Sequence, residues 1–305
     1  MNRLVQAARF RHEMFGRVRK FFDRRGLTEV RTALVSASGV TDVHVTGVQL
    51  ADGRYLRTSP EYTHKQLLAE GVGDLWELGA VFRAGEHGRL HREEFLMLEW
   101  YRVGWHWRDL AAEVIELMHD LDQDARLPDT VVYRSWRELA RETLGFDPLA
   151  AGEELPAALR EAPEGLDFPE QLDWLFSIHM QPALAGQGIV VVHDFPACQA
   201  ALARLDPGNA EIAQRFEVMV DGIELANGYQ ELTDAEEQAA RFAEDNRRRK
   251  QLGLPAMQPD DELLEALRRG LPDCAGVALG FDRLLMLLAG VSDIGQTRLN
   301  GQARS

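Results

Sequence analysis

Two segments that fold back on themselves constrain this chain more than any other feature of it. In the first, LWELGAVFR (75–83) and EFLMLEWYRV (94–103) are strand-like runs joined by a polar, glycine-containing loop, AGEHGRLHRE (84–93). In the second, RFEVMVDGIELANGYQEL (215–232), Asp221-Gly222 separates two strand patterns. Asp-Gly supplies the positive φ angles of a two-residue hairpin turn. LTEV (27–30), GRYLR (53–57), GIVVVHDF (188–195) and the segment opening at Gly276 add further strand patterns. Strands outnumber the spacings that βαβ crossovers need, so the expected fold class is α+β, an antiparallel β-sheet flanked by helices.

Helical patterns fill the intervals. Residues 7–25 alternate apolar and basic groups and stop at Gly26, and a turn at Ser59-Pro60-Glu61 leads into a helix around Tyr62–Glu70. Another helix covers about 107–121, and residues 130–190 carry a mostly helical pattern broken by Pro and Gly. Thr233 with Glu236 three residues on reads as a capping box. GVALGFDRLLMLLAG (276–290) reads as a strand, a tight glycine turn and an apolar helix beginning near Arg283. We therefore expect one catalytic domain over 1–305, with a helical insertion at about 130–187.

The chain of 305 residues has a net charge of −15. A surface for duplex or tRNA usually leaves a basic footprint. The one dense basic run, Arg247-Arg248-Arg249-Lys250, follows acidic residues on the same predicted helix and reads as a solvated face. Cys198 and Cys274 lie far apart with no zinc spacing and read as packed thiols. No window reaches the ~18 apolar residues of a membrane span, and the N-terminus has no apolar core of a leader. The expectation is a cytoplasmic protein with no membrane partner.

Three placements point to chemistry. Period-two alternation puts Met97, Glu99 and Tyr101 on one strand face, and a carboxylate there is costly to desolvate unless it meets a cation. An internal salt bridge to an arginine and a functional cation both satisfy Glu99. Glu224 and Glu231 flank Ala-Asn-Gly-Tyr, a carboxylate pair with Asn227 that suits Mg²⁺ shared with phosphates. Their odd spacing calls for a bulge or kink, expected at Gly228. Surface glutamates on an edge strand are the plainer alternative. Arg83 ends a strand and Arg283 begins a helix after Gly280, positions from which guanidinium groups can clamp phosphates. Ordinary surface arginines are the alternative there. His87 and His91 lie four apart without a third ligand, which argues against a metal site. The glycine-rich pieces match neither a P-loop nor a dinucleotide-binding fingerprint.

In order and content these segments resemble the class II aminoacyl-tRNA synthetases, lysyl branch. FRAGEHGRLHREEFLMLEWY resembles motif 2 and GVALGFDRLLML resembles motif 3. IELANGYQELTDAEEQ resembles the metal- and substrate-binding segment, and TSPEYTHKQLL the substrate loop. The likeness runs from about residue 10 to 290. Within the branch it is strongest to the truncated paralogues that modify elongation factor P. The core begins almost at the N-terminus, with no room for an anticodon-binding barrel, and Ala278 stands where lysyl enzymes usually carry glycine.

The resemblance implies ATP and Mg²⁺ as cofactors, an aminoacyl-adenylate made from lysine or β-lysine, and elongation factor P as acceptor, with no tRNA and a homodimeric state. Arg83 and Arg283 become the catalytic phosphate clamps. Ala84, Gly85, Glu86, Arg92, Phe95, Glu224, Leu225, Asn227 and Gly280 join them around ATP. Ser59, Pro60, Glu61, Glu99, Tyr101, Glu231 and Ala278 receive the amino acid, and Glu224 and Glu231 the metal. The chain departs from the family pattern at several places. Arg83-Ala84-Gly85 replaces R-N-E, with Glu86 one place late. Arg92 replaces an Asn expected to touch ATP, Ala33 replaces the motif 1 proline, and the tail SDIGQTRLNGQARS lacks the usual ending. A free-standing lysyl-tRNA synthetase and a non-catalytic regulatory paralogue remain the competing readings.

Overall fold

The protein is represented by a computed structural model that describes residues 2–150 and 162–299. Its N-terminal half contains α1 (Arg3–Asp23), β1 (Thr28–Glu29), β2 (Val35–Ser36), β3 (Val48–Gln49), β4 (Tyr55–Leu56), α2 (Glu61–Ala69), β5 (Leu75–Phe82), β6 (Glu94–Val103) and α3 (Trp107–Leu121). Then follow β7 (Val131–Ser135), α4 (Trp136–Leu144), α5 (Phe168–Leu175), β8 (Ile189–Pro196), β9 (Leu205–Asp206), β10 (Asn209–Val220), β11 (Ile223–Gln230), α6 (Ala235–Gln251), α7 (Asp261–Gly270), β12 (Cys274–Gly280) and α8 (Phe281–Leu288).

The main sheet runs β1-β5-β6-β12-β11-β10-β8-β7, with β9 also on β10; β2-β4-β3 form a small separate sheet. The interior pairings are antiparallel, while β1–β5 and β7–β8 at the two edges are parallel. This is the expected α+β architecture, helices on an antiparallel sheet. Alternation along β6 sets its two faces. Leu98 and Trp100 point into the core made with α1, α3 and α8, where Phe22 stacks on Trp76 at 4.8 Å between centroids. Met97, Glu99 and Tyr101 point to the opposite face, over which α2, α6 and α7 pack.

Several local expectations are corrected. The mostly helical pattern at 130–187 also contains β7, which pairs with β8, Val131 opposite Ile189. Part of that stretch, 151–161, lies outside the described residues. The cap of α6 is Asp234 rather than Thr233; its carboxylate accepts from the backbone N–H of Glu236 at 2.8 Å and of Glu237 at 3.0 Å. One acidic side chain thus satisfies two of the free N–H groups that a helix start leaves. Gly280 has φ −68°, so no glycine turn is needed before α8, which starts at Phe281. The basic run is only partly solvated: Arg249 is buried and donates to the carbonyls of Pro255 and Asp42. Cys274 is buried as expected, but Cys198 is exposed. Among the described residues no helix is long and apolar enough to cross a membrane.

The bulge between Glu224 and Glu231 exists, three residues before its expected place. In the β10–β11 pairing Val218 faces Ala226 but Met219 faces Glu224, so Leu225 is the extra residue. Gly228 sits in regular register opposite Phe216, and it is glycine for space: a Cβ there would lie 2.4 Å from the Phe216 ring.

Candidate active site

The bulge has a consequence for geometry. Asn227, Tyr229 and Glu231 alternate onto one face of β11, and the extra residue brings Glu224 to that face as well. The four line a cavity of about 170 Å³ on the sheet, together with Met97, Glu99 and Tyr101 of β6 and Ala278 and Gly280 of β12. Arg83, Glu86, Arg92, Phe95, Leu225, Arg283, Ser59 and Glu61 also line it. Pro60 lines a larger neighbouring cleft of about 900 Å³, which shares Ser59, Glu61, Arg83 and Tyr229 with the first. Ala84 and Gly85 line neither; the N–H of Ala84 donates to Thr46 and that of Gly85 to the Glu93 carboxylate.

One end of the cavity is a buried network of charge. Glu99, 2% exposed, meets no arginine among the described residues. It accepts from Ser59 Oγ and from the Tyr101 hydroxyl, both at 2.9 Å, and His64 Nδ1 lies 3.3 Å away without hydrogen-bond geometry. On its other side His64 Nε2 is 3.0 Å from Glu77, which also binds Arg57 at 2.8 Å and Thr32 Oγ1 at 2.7 Å. Burial raises Glu77, and the His64, Arg57 and Thr32 hydrogen bonds more than reverse this, holding it at about 2. Burial lowers His64, and the Glu77 and Glu99 carboxylates outweigh it, so its pKa is raised.

Lys65, 1% exposed, stands 2.7 Å from both Glu61 and Glu231. The Glu61 contact is a hydrogen bond; the one to Glu231 Oε2 is an ion pair without hydrogen-bond geometry. Burial and the neighbouring Glu61 and Glu99 charges outweigh Lys65 and push Glu231 up to about 8. Burial likewise raises Glu61, and the two acids keep Lys65 protonated. Four carboxyl groups here face Arg57, Lys65 and the raised imidazole of His64. Glu231 keeps its proton up to about 8, so this end gains a negative charge only when a further cation enters it.

The opposite end carries the arginines. Arg283 donates from Nε to Leu90 O at 3.2 Å and from Nη1 to Glu224 O at 2.9 Å. Its Nη2 is 2.7 Å from His91 Nε2, and burial and then this guanidinium lower the His91 pKa. Arg83 lies over the Phe95 ring at 5.3 Å and 3.7 Å from Glu86. The side chain of Glu224 is 38% exposed and 3.4 Å from Arg283, and the buried Oδ1 of Asn227 has no hydrogen-bond partner. These are hard oxygen donors facing a cavity, the kind that Mg²⁺ takes. Glu231, by contrast, is occupied by Lys65. Among the described residues no group of three or more His, Cys, Asp or Glu converges as a metal cage.

Residue patterns missed several members of this site. Lys65 is the central cation, and its only signal was the helical i,i+4 spacing from Glu61. His64, Arg57 and Glu77 gave none. Gly276 is spatially required, since a Cβ there would lie 2.3 Å from the Tyr101 ring and 2.4 Å from Glu231 Oε1.

The sequence matches the family described as tRNA synthetases class II (D, K and N) over residues 1–302. It is similar to the elongation factor P--(R)-beta-lysine ligase of Histophilus somni (strain 2336), at 42% identity over 96% of this chain and 94% of that protein. The proteins of the same name from Yersinia enterocolitica serotype O:8 / biotype 1B and Pasteurella multocida (strain Pm70) are 41% and 40% identical, each over 93% of this chain and 91% of the relative.

Proposed function

The chain belongs to the class II tRNA synthetases (D, K and N), and on that premise we propose that it is an AMP-forming ligase that activates (R)-β-lysine, or lysine, with ATP and passes it to a lysine side chain of elongation factor P. The carrying observation is the polarity of the cavity. Partly buried Glu61 and buried Glu99 and Glu231 lie at one end, where ionising Glu231 calls for a further cation beside Lys65, and Arg83 and Arg283 lie at the other. A diamino acid laid along it puts an ammonium among the carboxylates and its carboxylate toward the arginines. The names of the relatives supply the β-amino acid and the acceptor.

The first step follows from these positions. A carboxylate oxygen attacks the α-phosphorus of ATP, a new P–O bond forms, and the bond to the β-phosphate breaks with release of pyrophosphate. The attacking carboxylate is already ionised, so no protein base is required. Arg83 and Arg283 bind phosphate oxygens and stabilise the charge that builds on them; positioning and electrostatics provide the rate. Glu224 and Asn227 would hold Mg²⁺, which when bound neutralises phosphate charge. Ser59, Tyr101, Glu61, Glu99 and Glu231 orient the amino end. In the second step the deprotonated ε-amine of the acceptor lysine attacks the acyl carbon; a C–N bond forms, the acyl C–O bond to phosphate breaks so that AMP leaves, and the nitrogen gives one proton to solvent.

The test is intact mass of purified elongation factor P after incubation with the protein, ATP, Mg²⁺ and (R)-β-lysine. One aminoacyl addition at a single lysine, absent with the Arg283→Ala variant, is expected. An unmodified factor alongside aminoacylated tRNA would move the reading to a free-standing tRNA synthetase.

A further inference from the structure

Two departures from the family pattern, Arg92 in the loop after β5 and the unusual C-terminal segment, meet in space. Arg92 Nη2 donates to Asp293 Oδ1 at 3.0 Å, while its Nη1 bonds the carbonyls of Gly88 and His91 in its own loop. The contact is reinforced on both sides. The N–H of Ile294 donates to Arg89 O at 3.0 Å, and Arg89 Nη1 donates to Ser292 O at 3.0 Å. Arg298 reaches the carbonyl and carboxylate of Glu94. The segment from Ser292 to Arg298 is thus fastened along the whole return of the loop.

This docking shapes the cavity. Arg92 and Ile294 both line it, beside Arg283, Phe95 and Leu90. The same stretch of loop supplies the carbonyl of Leu90 and the ring of His91 that hold the Arg283 guanidinium. Asp293 also accepts from Gly295 N–H at 2.7 Å and so holds its own turn in shape. One carboxylate therefore sets the turn and joins it to the loop.

We propose that Arg92 and Asp293 form a latch that makes the C-terminal turn a wall of the nucleotide end of the cavity, so that nucleotide affinity depends on residues 292–298. Both are positioning residues: Asp293 acts through Arg92, and Arg92 through the loop that aligns Arg283. The latch rests on the ATP-dependent reading above for its ligand, but not for its geometry.

The test is a double-mutant cycle with Asp293→Asn, Arg92→Gln and both together. Asparagine still caps Gly295 and loses only the charge. In ATP–pyrophosphate exchange Asp293→Asn should raise KM for ATP about fivefold, the scale of one half-exposed ion pair. KM for the amino acid should not change. Asp293→Asn added to Arg92→Gln should have little further effect, because both break one contact. Hydrogen exchange gives a readout free of activity: the Ile294 amide should lose protection in Asp293→Asn. An unchanged KM for ATP with unchanged Ile294 protection, or effects that simply add, would overturn the latch. If the unaltered protein exchanges no pyrophosphate, the proposed function fails, and Ile294 protection alone still decides the latch.

Discussion

The two ends of the cavity are built in opposite ways. The amino-acid end is nearly dry: Lys65, His64, Glu77, Glu99 and Glu231 are each 3% exposed or less. Every one of these groups is held by at least one other charged or polar side chain. The loop between β5 and β6 at the nucleotide end is largely solvated. It is held by the latch, by single backbone hydrogen bonds, and by contacts such as the 3.7 Å approach of the 72%-exposed His87 to Glu93. Removing one partner of a buried pair strands a charge, whereas a surface pair contributes little. Ala84, Gly85 and Arg92 lie in the loop, and Glu61, Glu99 and Glu231 on the floor. A substitution at the buried end should therefore cost more than one in the loop.

The sharpest way to break this comparison is Lys65→Ala. It leaves Glu61 and Glu231 facing each other in a buried site, and should cost about 3–5 kcal/mol in denaturant unfolding together with amino-acid binding. A loss under about 1 kcal/mol would mean that the floor is as tolerant as the loop. Gly276→Ala should come next, at about 1–3 kcal/mol, because the added methyl collides with Tyr101 and Glu231 and one of them must move. Thermal unfolding and amino-acid KM should change together.

The third effect is in pH. Burial and the Glu61 and Glu99 charges raise Glu231 from 4.5 to about 8, so the folded protein holds a proton there that the unfolded chain has released. Its contribution to stability is full below about 4.5 and is lost as pH rises through about 8. An ammonium ligand stabilises the ionised form. Diamino acid binding should therefore release a proton below pH 8 and tighten as pH rises toward it, as calorimetry in buffers of different ionisation enthalpy would reveal. Glu231→Gln should abolish that proton release. The smallest expected effect is His87→Ala in the loop, within about 0.5 kcal/mol in stability and with little change in exchange rate. A large loss there would show that the loop is not the permissive end.

Much of this was legible in the residues. The first hairpin, the Asp-Gly turn, and the face carrying Met97, Glu99 and Tyr101 follow from alternation and turn chemistry, which are local. What escaped was set by packing between distant segments. Gly228 looked like the bulge, but it is glycine because of the Phe216 ring across the ladder, and the bulge fell at Leu225, which carries no signal of its own. Glu99 looked as though it needed a cation, and it meets Ser59, Tyr101 and His64 from elements up to 40 positions away. Arg249 looked solvated because its helix is polar, yet it reaches Asp42 across the fold.

The most direct test of the central claim is ATP–pyrophosphate exchange by the purified protein with (R)-β-lysine, L-lysine or no amino acid. The account predicts exchange that depends on a diamino acid, is strongest with (R)-β-lysine, and is lost in Arg283→Ala and Arg83→Ala. Exchange that persists in either arginine variant, or none with any diamino acid, would contradict it.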